Sequence, residues 1–114
     1  MSYEINWDEV NDSIPEFNFI NDIKIAKVLS INDINEIKVA FPVYKKMYKW
    51  NCILLGIDYS KFKTSDLDFI KQNLSDKILN KMVMLYCDKF DGNKNLLVTV
   101  KLLEQNINKW LTLL

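Results

Sequence analysis

The stretch that most constrains this chain is Asp91-Gly92-Asn93, set between apolar runs at Lys81–Lys89 and Asn95–Lys101. Asp-Gly between two apolar segments is a strong short-range signal for a β-hairpin, because the favoured tight turns need residues that accept a positive φ. The competing reading is one helix from Asp76 to Phe90, since Ile78, Met82 and Leu85 also fit a helical face. The hairpin is preferred, and it commits the C-terminal half of the chain to a sheet.

The rest of the pattern builds around that hairpin. Asn6 precedes Trp7, Val10 and Ile14, with Glu9 three residues after Asn6, which predicts a short helix over Trp7–Ser13 stopped by Pro15. Phe17, Phe19, Ile23, Ile25 and Val28 carry strand character, with a break at Asn21 and Asp22. Ser30 and Asp33 suggest a cap for a helix carrying Ile31, Ile34 and Ile37 to about Lys38. Yet Ile37, Val39, Phe41 and Val43 also alternate strictly, which favours a strand running into Pro42. Trp50–Asp58 reads as the strongest strand. Its continuous apolar run from Cys52 to Leu55 suits a central strand buried on both faces. Thr64 and Ser65 are cap candidates for a helix from Asp66 to about Leu74. Leu103, Ile107, Trp110, Leu111 and Leu114 predict an amphipathic C-terminal helix. The expected class is α+β: a single compact domain over residues 1–114, with a small mixed or antiparallel sheet and about three helices, the C-terminal one included.

Composition excludes more than it assigns. There is no His, which removes Ser-His-Asp and Cys-His catalysis and leaves a tetrahedral zinc site short of ligands. Cys52 and Cys87 lie in separate apolar runs and read as small core residues in a reducing compartment. Gly56 and Gly92 stand alone, so no glycine-rich phosphate loop can be written. The N-terminus lacks the apolar stretch of a secretion signal, and no apolar run is long enough to span a bilayer. The expectation is a cytoplasmic protein with no membrane association, no cofactor, no metal and no enzymatic activity. Asp58, Asp66 and Asp68 are the carboxylates nearest to a Mg²⁺ set, but Asp66 and Asp68 fit equally well as first-turn helix acids.

Charge is balanced in sum, 15 lysines against 15 acids, and unbalanced along the chain. Residues 1–36 hold eight acids and two lysines, whereas residues 37–63 hold six lysines and one acid. The acidic third offers a partner-docking surface: Tyr3, Glu4, Trp7, Asp8, Glu9, Asp12 and Glu16 combine carboxylates with aromatic rings, as a mimic of nucleic-acid phosphate facing a basic protein would. A solvated face is the plainer account of the same acids. The basic middle offers an alternative: Tyr44, Lys45, Lys46, Tyr48 and Lys49 interleave cations with stacking faces, the chemistry of single-stranded nucleic-acid binding. The C-terminal stripe could instead dock a second chain, although a monomer that buries the stripe internally is favoured.

About a hundred residues, rich in Asn, Ile and Lys, with no catalytic apparatus and an acidic segment, the chain resembles the small immunity proteins of bacterial toxin–immunity pairs. These include the contact-dependent growth-inhibition and nuclease-bacteriocin types. The run Trp50 to Asp58 is similar to a strand of a colicin immunity protein. The resemblance implies an antitoxin that neutralises a cognate toxin domain, a basic nuclease by expectation, through stoichiometric occlusion of its active site. It implies no role for any single residue.

Overall fold

A computed structural model describes residues 4–114. After an N-terminal arm, the order is β1 (Ile23–Asp33), β2 (Glu36–Val43), β3 (Lys46–Leu54), α1 (Leu67–Ile78), β4 (Met82–Phe90), β5 (Leu96–Leu102), β6 (Gln105–Asn106) and α2 (Ile107–Thr112). Three further segments form single 3₁₀ turns: Trp7–Glu9, Tyr59–Lys61 and Thr64–Asp66.

The strands close into a barrel. β1 pairs antiparallel with β2 through its second half and with β4 through its first. β2 pairs with β3 and β4 with β5, both antiparallel, and β3 meets β5 in parallel to complete the ring. Register shifts between Val28 and Ser30 and between Ile31 and Asp33 let the long β1 bend between its two partners. The spatial order β4-β1-β2-β3 is a Greek key, and a five-stranded Greek-key barrel is the architecture of the OB-fold.

Period-two alternation fills the interior. Val39, Phe41, Cys52, Leu54, Val83, Leu85, Val98 and Val100 all point inward and are buried. α1 adds Ile70, Leu74 and Ile78, one face at four-residue spacing. It ends where Leu79 turns extended and Asn80 takes a left-handed conformation, φ 63°. α2 contributes Ile107 and Leu111.

Several expectations are corrected. The predicted helix to Lys38 is absent: β1 runs to Asp33, a two-residue turn follows at Ile34-Asn35, and β2 starts at Glu36. The turn buries Ile34, whose N–H donates to the Asp33 carboxylate, so the three-residue apolar spacing came from a tight turn rather than from a helix. The helix over Trp7–Ser13 shrinks to one turn at Trp7–Glu9, with the Asn6 side chain accepting from Asp8 N–H. The strand expected at Trp50–Asp58 starts earlier and ends at Leu54, and it is a barrel wall with one exposed face rather than a central strand. The helix expected to end near Leu74 continues to Ile78. The C-terminal helix is only six residues long, because Leu103 sits in the left-handed region at φ 55° and points to solvent. Instead of about three helices around a small sheet, the described residues form one main helix, a short C-terminal one and a closed barrel. The hairpin around Asp91-Gly92-Asn93 is present as β4–β5. No helix among the described residues is long and apolar enough to cross a membrane.

Candidate functional site

Strict alternation along β2 and β3 sets the site. With Val39 and Phe41 turned inward, Lys38 points outward, and across the register Lys38 pairs with Asn51 and Ala40 with Lys49. The β4–β5 connection folds toward this face. Lys38, Lys49, Trp50, Asn51, Phe90 and residues 91 and 93–95 line an open groove of about 630 Å³. Lys38, Lys49 and Lys94 thus share the lining of one groove with Trp50 and Phe90, whose rings pack toward the core because Trp50 lies opposite inward-facing Val39 and Phe90 opposite buried Leu96.

The aromatic floor is held from below. Trp50 stacks on Phe41 with centroids 4.7 Å apart and planes 6° from parallel, and its indole N–H donates to the Phe41 carbonyl. Phe19, buried at the barrel mouth, meets Phe41 and Trp50 edge-on. The Lys24 ammonium lies 5.0 Å from the Phe19 ring centroid. Trp50 is therefore fixed by its neighbours before any ligand arrives.

Asp91, the carboxylate in the groove wall, is consumed by its own loop. It accepts from the backbone N–H groups of Asn93 and Asn95 and from the Asn95 amide. Those bonds, with Asn95 the largest contributor, hold its pKa below the ordinary 3.8. Three hydrogen bonds thereby tie the loop to one carboxylate, which stays ionised in the groove wall and offsets part of the lysine charge.

Beside the groove, the β2–β3 turn consists of Tyr44 and Lys45 alone, at φ 51° and 69°. Two successive left-handed residues define the tight hairpin turn that usually takes Asn-Gly. Tyr44 is 92% exposed there, its ring free on both faces. Tyr48 is also exposed and lies edge-on to Trp50, centroids 6.3 Å apart. The expected segment Tyr44, Lys45, Lys46, Tyr48 and Lys49 thus falls on one hairpin, with Lys49 in the groove itself. Lys38, Asn51, Phe90, Asn93, Lys94 and Asn95 complete the groove and were not anticipated. The outward alternation on β2 was the available signal for Lys38. The loop residues arrive only through barrel closure.

The acidic candidates lie elsewhere. Glu4, Trp7, Asp8, Glu9, Asp12 and Glu16 are all exposed on the arm that precedes the barrel, with Trp7 at 70%. They share no helical face, since only one turn of 3₁₀ helix forms. Tyr3 lies outside the described residues.

The remaining polar chemistry is structural. Asp58 accepts from the N–H and hydroxyl of Ser60, which lowers its pKa and caps the turn after β3. The Tyr59 hydroxyl donates to the Asp33 carboxylate, which pushes the phenol up to about 12. No three carboxylate or thiol groups converge as a metal site among the described residues. Both cysteines are free and buried, and burial pushes Cys52 up to about 12 and Cys87 to about 11. No protein-family model matches this chain, and no curated protein matches it either.

Proposed function

We propose that this protein binds single-stranded nucleic acid in the groove between β2, β3 and the β4–β5 connection. The observation that carries the reading is the groove whose lining combines Lys38, Lys49 and Lys94 with Trp50 and Phe90. Ammonium groups neutralise the backbone while aromatic faces accept bases of any sequence, which is the division of labour such binding requires. Tyr44 offers an exposed ring at the tip of the hairpin, and Tyr48 lies beside Trp50 on the side of β3 opposite to Lys49. The architecture adds support by analogy: OB barrels take oligonucleotides or oligosaccharides on the face of their second and third strands and on the adjacent β4–β5 loop. Lysine without arginine suits backbone tracking better than bidentate reading of base edges, so the binding is weakly sequence-selective.

Fluorescence anisotropy with a labelled mixed-sequence oligonucleotide tests this. If the three groove lysines each meet one phosphate, log K falls against log salt with a slope of about −2. Lys38→Ala and Lys94→Ala each reduce that slope, and duplex DNA of the same sequence binds more weakly. Absence of binding to single strands at low salt refutes the proposal.

A second reading keeps the acidic arm for a basic protein partner, a toxin domain in the form already described. It is favoured by five carboxylates and an exposed Trp7 on one projecting segment. Survival of cells expressing the neighbouring toxin gene with this chain, and death without it, is the outcome it requires. Equal killing in both refutes it.

A further inference from the structure

An exposed apolar patch adjoins the groove on the outer side of the barrel, with Lys49 at the border between the two. On the outer side of β4, β1, β2 and β3, Ile25 pairs with Met84 and Pro42 with Met47. In the adjoining row Lys27 pairs with both Met82 and Ala40, and Ala40 with Lys49. Ile25 is 62% exposed, and Met47 and Met82 are each 65% exposed. A groove of about 470 Å³ runs between them. One-sided antiparallel sheets put polar residues on their solvent face, so two methionines and an isoleucine side by side there mark a contact surface. The charged groups in and beside these rows are all cationic: Lys27, Lys49 and, opposite Met84, Lys101. The face therefore fits a segment carrying large apolar side chains and carboxylates.

The chain itself carries such a segment. Residues 4–18 expose Ile5, Trp7, Val10, Ile14 and Phe17, and contain five acids and no lysine. The root of this arm is fixed, with Phe17 edge-on to Phe19 at 5.0 Å and set beside Pro42–Tyr44. From there the arm runs away from its own barrel. The described residues extend 58 Å along one axis and 28 and 22 Å along the others, with a radius of gyration of 17.0 Å. A compact chain of this length has about 13 Å. Both unpartnered apolar surfaces thus belong to one chain and are held apart within it.

We infer that the arm of each molecule docks on the methionine–isoleucine face of a second copy, so that two copies exchange arms about a twofold axis. A single twofold operator generates both contacts, which makes the pair closed and self-limiting. Methionine side chains adjust readily around an incoming aromatic ring, here Trp7. The arm carboxylates meet Lys27 and Lys101.

Sedimentation equilibrium of the full chain across micromolar concentrations is the test. The expected mass rises toward twice 13.5 kDa and falls back as salt is added. Ile25→Lys with Met82→Lys on the face, and separately Trp7→Ser with Val10→Ser on the arm, each weaken association at least about tenfold. Circular dichroism shows whether each variant keeps its fold. If the face variant does not fold, the arm variant decides, because it alters no core residue. A full chain that stays at 13.5 kDa at every concentration overturns the inference, and that result covers an arm folded back on its own barrel. A dimer that survives the arm substitutions, or the face substitutions in a folded variant, overturns it as well.

Discussion

Replacing Tyr44-Lys45 by Asn-Gly should make the protein more stable and a poorer binder at once. Both positions hold left-handed backbone, at φ 51° and 69°, which costs an L-residue about 1–2 kcal/mol each. Asn tolerates that region and Gly enters it freely, although Gly returns about 0.5–1 kcal/mol through the entropy of the unfolded chain. The net gain for Tyr44→Asn with Lys45→Gly is about 1–2 kcal/mol, or about 4–8 °C in Tm for a domain near this size. Neither side chain packs in the core, and Tyr44 is 92% exposed, so no packing loss offsets the gain. The same change removes one stacking face, worth about 1–3 kcal/mol per base, and one cation. Thermal denaturation followed by circular dichroism reads the first effect, and anisotropy with a single-stranded oligonucleotide reads the second. An unchanged or lower Tm refutes the strain argument. An unchanged affinity removes the hairpin tip from the site. If both hold, the sequence keeps a strained turn in order to display a ring.

Other consequences follow from single groups. Asn108→Ala leaves the Val100 N–H and the Leu55 carbonyl without partners in the barrel interior, since the Asn108 amide bonds both, and urea denaturation should show a loss of about 2–4 kcal/mol. Asp91 has its pKa lowered by its loop, so its contribution is fully present above the ordinary carboxylate pKa and disappears as pH falls through the lowered value. Amide exchange of Asn93 and Asn95 should accelerate in acid below pH 3.8, and Asp91→Asn should abolish that dependence. Cys52 and Cys87 should resist a thiol reagent at pH 8, where their raised pKa values keep them protonated, and both should react once denaturant is added. Rapid labelling of native protein would contradict the burial of both residues.

Legibility in the sequence tracked the range of the interaction. The β4–β5 hairpin was readable because its turn and its alternation are both local. The interleaving of lysines and tyrosines is local too, but strand alternation turns Tyr48 and Lys49 to opposite faces of the hairpin, which spacing alone does not reveal. The segment around Ile31, Ile34 and Ile37 misled because a register shift and a two-residue turn imitate helical spacing. Closure was invisible: nothing near Cys52 announces that it will lie beside Leu96. Half of the groove, Phe90 to Asn95, reaches Lys38 and Trp50 only through that closure. The methionine–isoleucine face was hidden differently, since β1 and β4 are apolar on both sides and alternation gives no outward signal there.

The parallel seam between β3 and β5 also dictates an order of events. It joins Cys52, Ile53 and Leu54 to Leu96, Leu97 and Val98, partners 44 positions apart. The β1–β2–β3 meander and the β4–β5 hairpin need only short loops and can assemble early, whereas the β1–β4 pairing and the seam join those units across long loops. Until the seam forms, β3 and β5 are bare edges able to pair with any other extended chain. Asn108 then fastens the join, donating to the Leu55 and Val98 carbonyls and accepting from Val100 N–H. A folding chain of this kind is therefore most vulnerable to aggregation in the interval before one amide side chain has found its three partners.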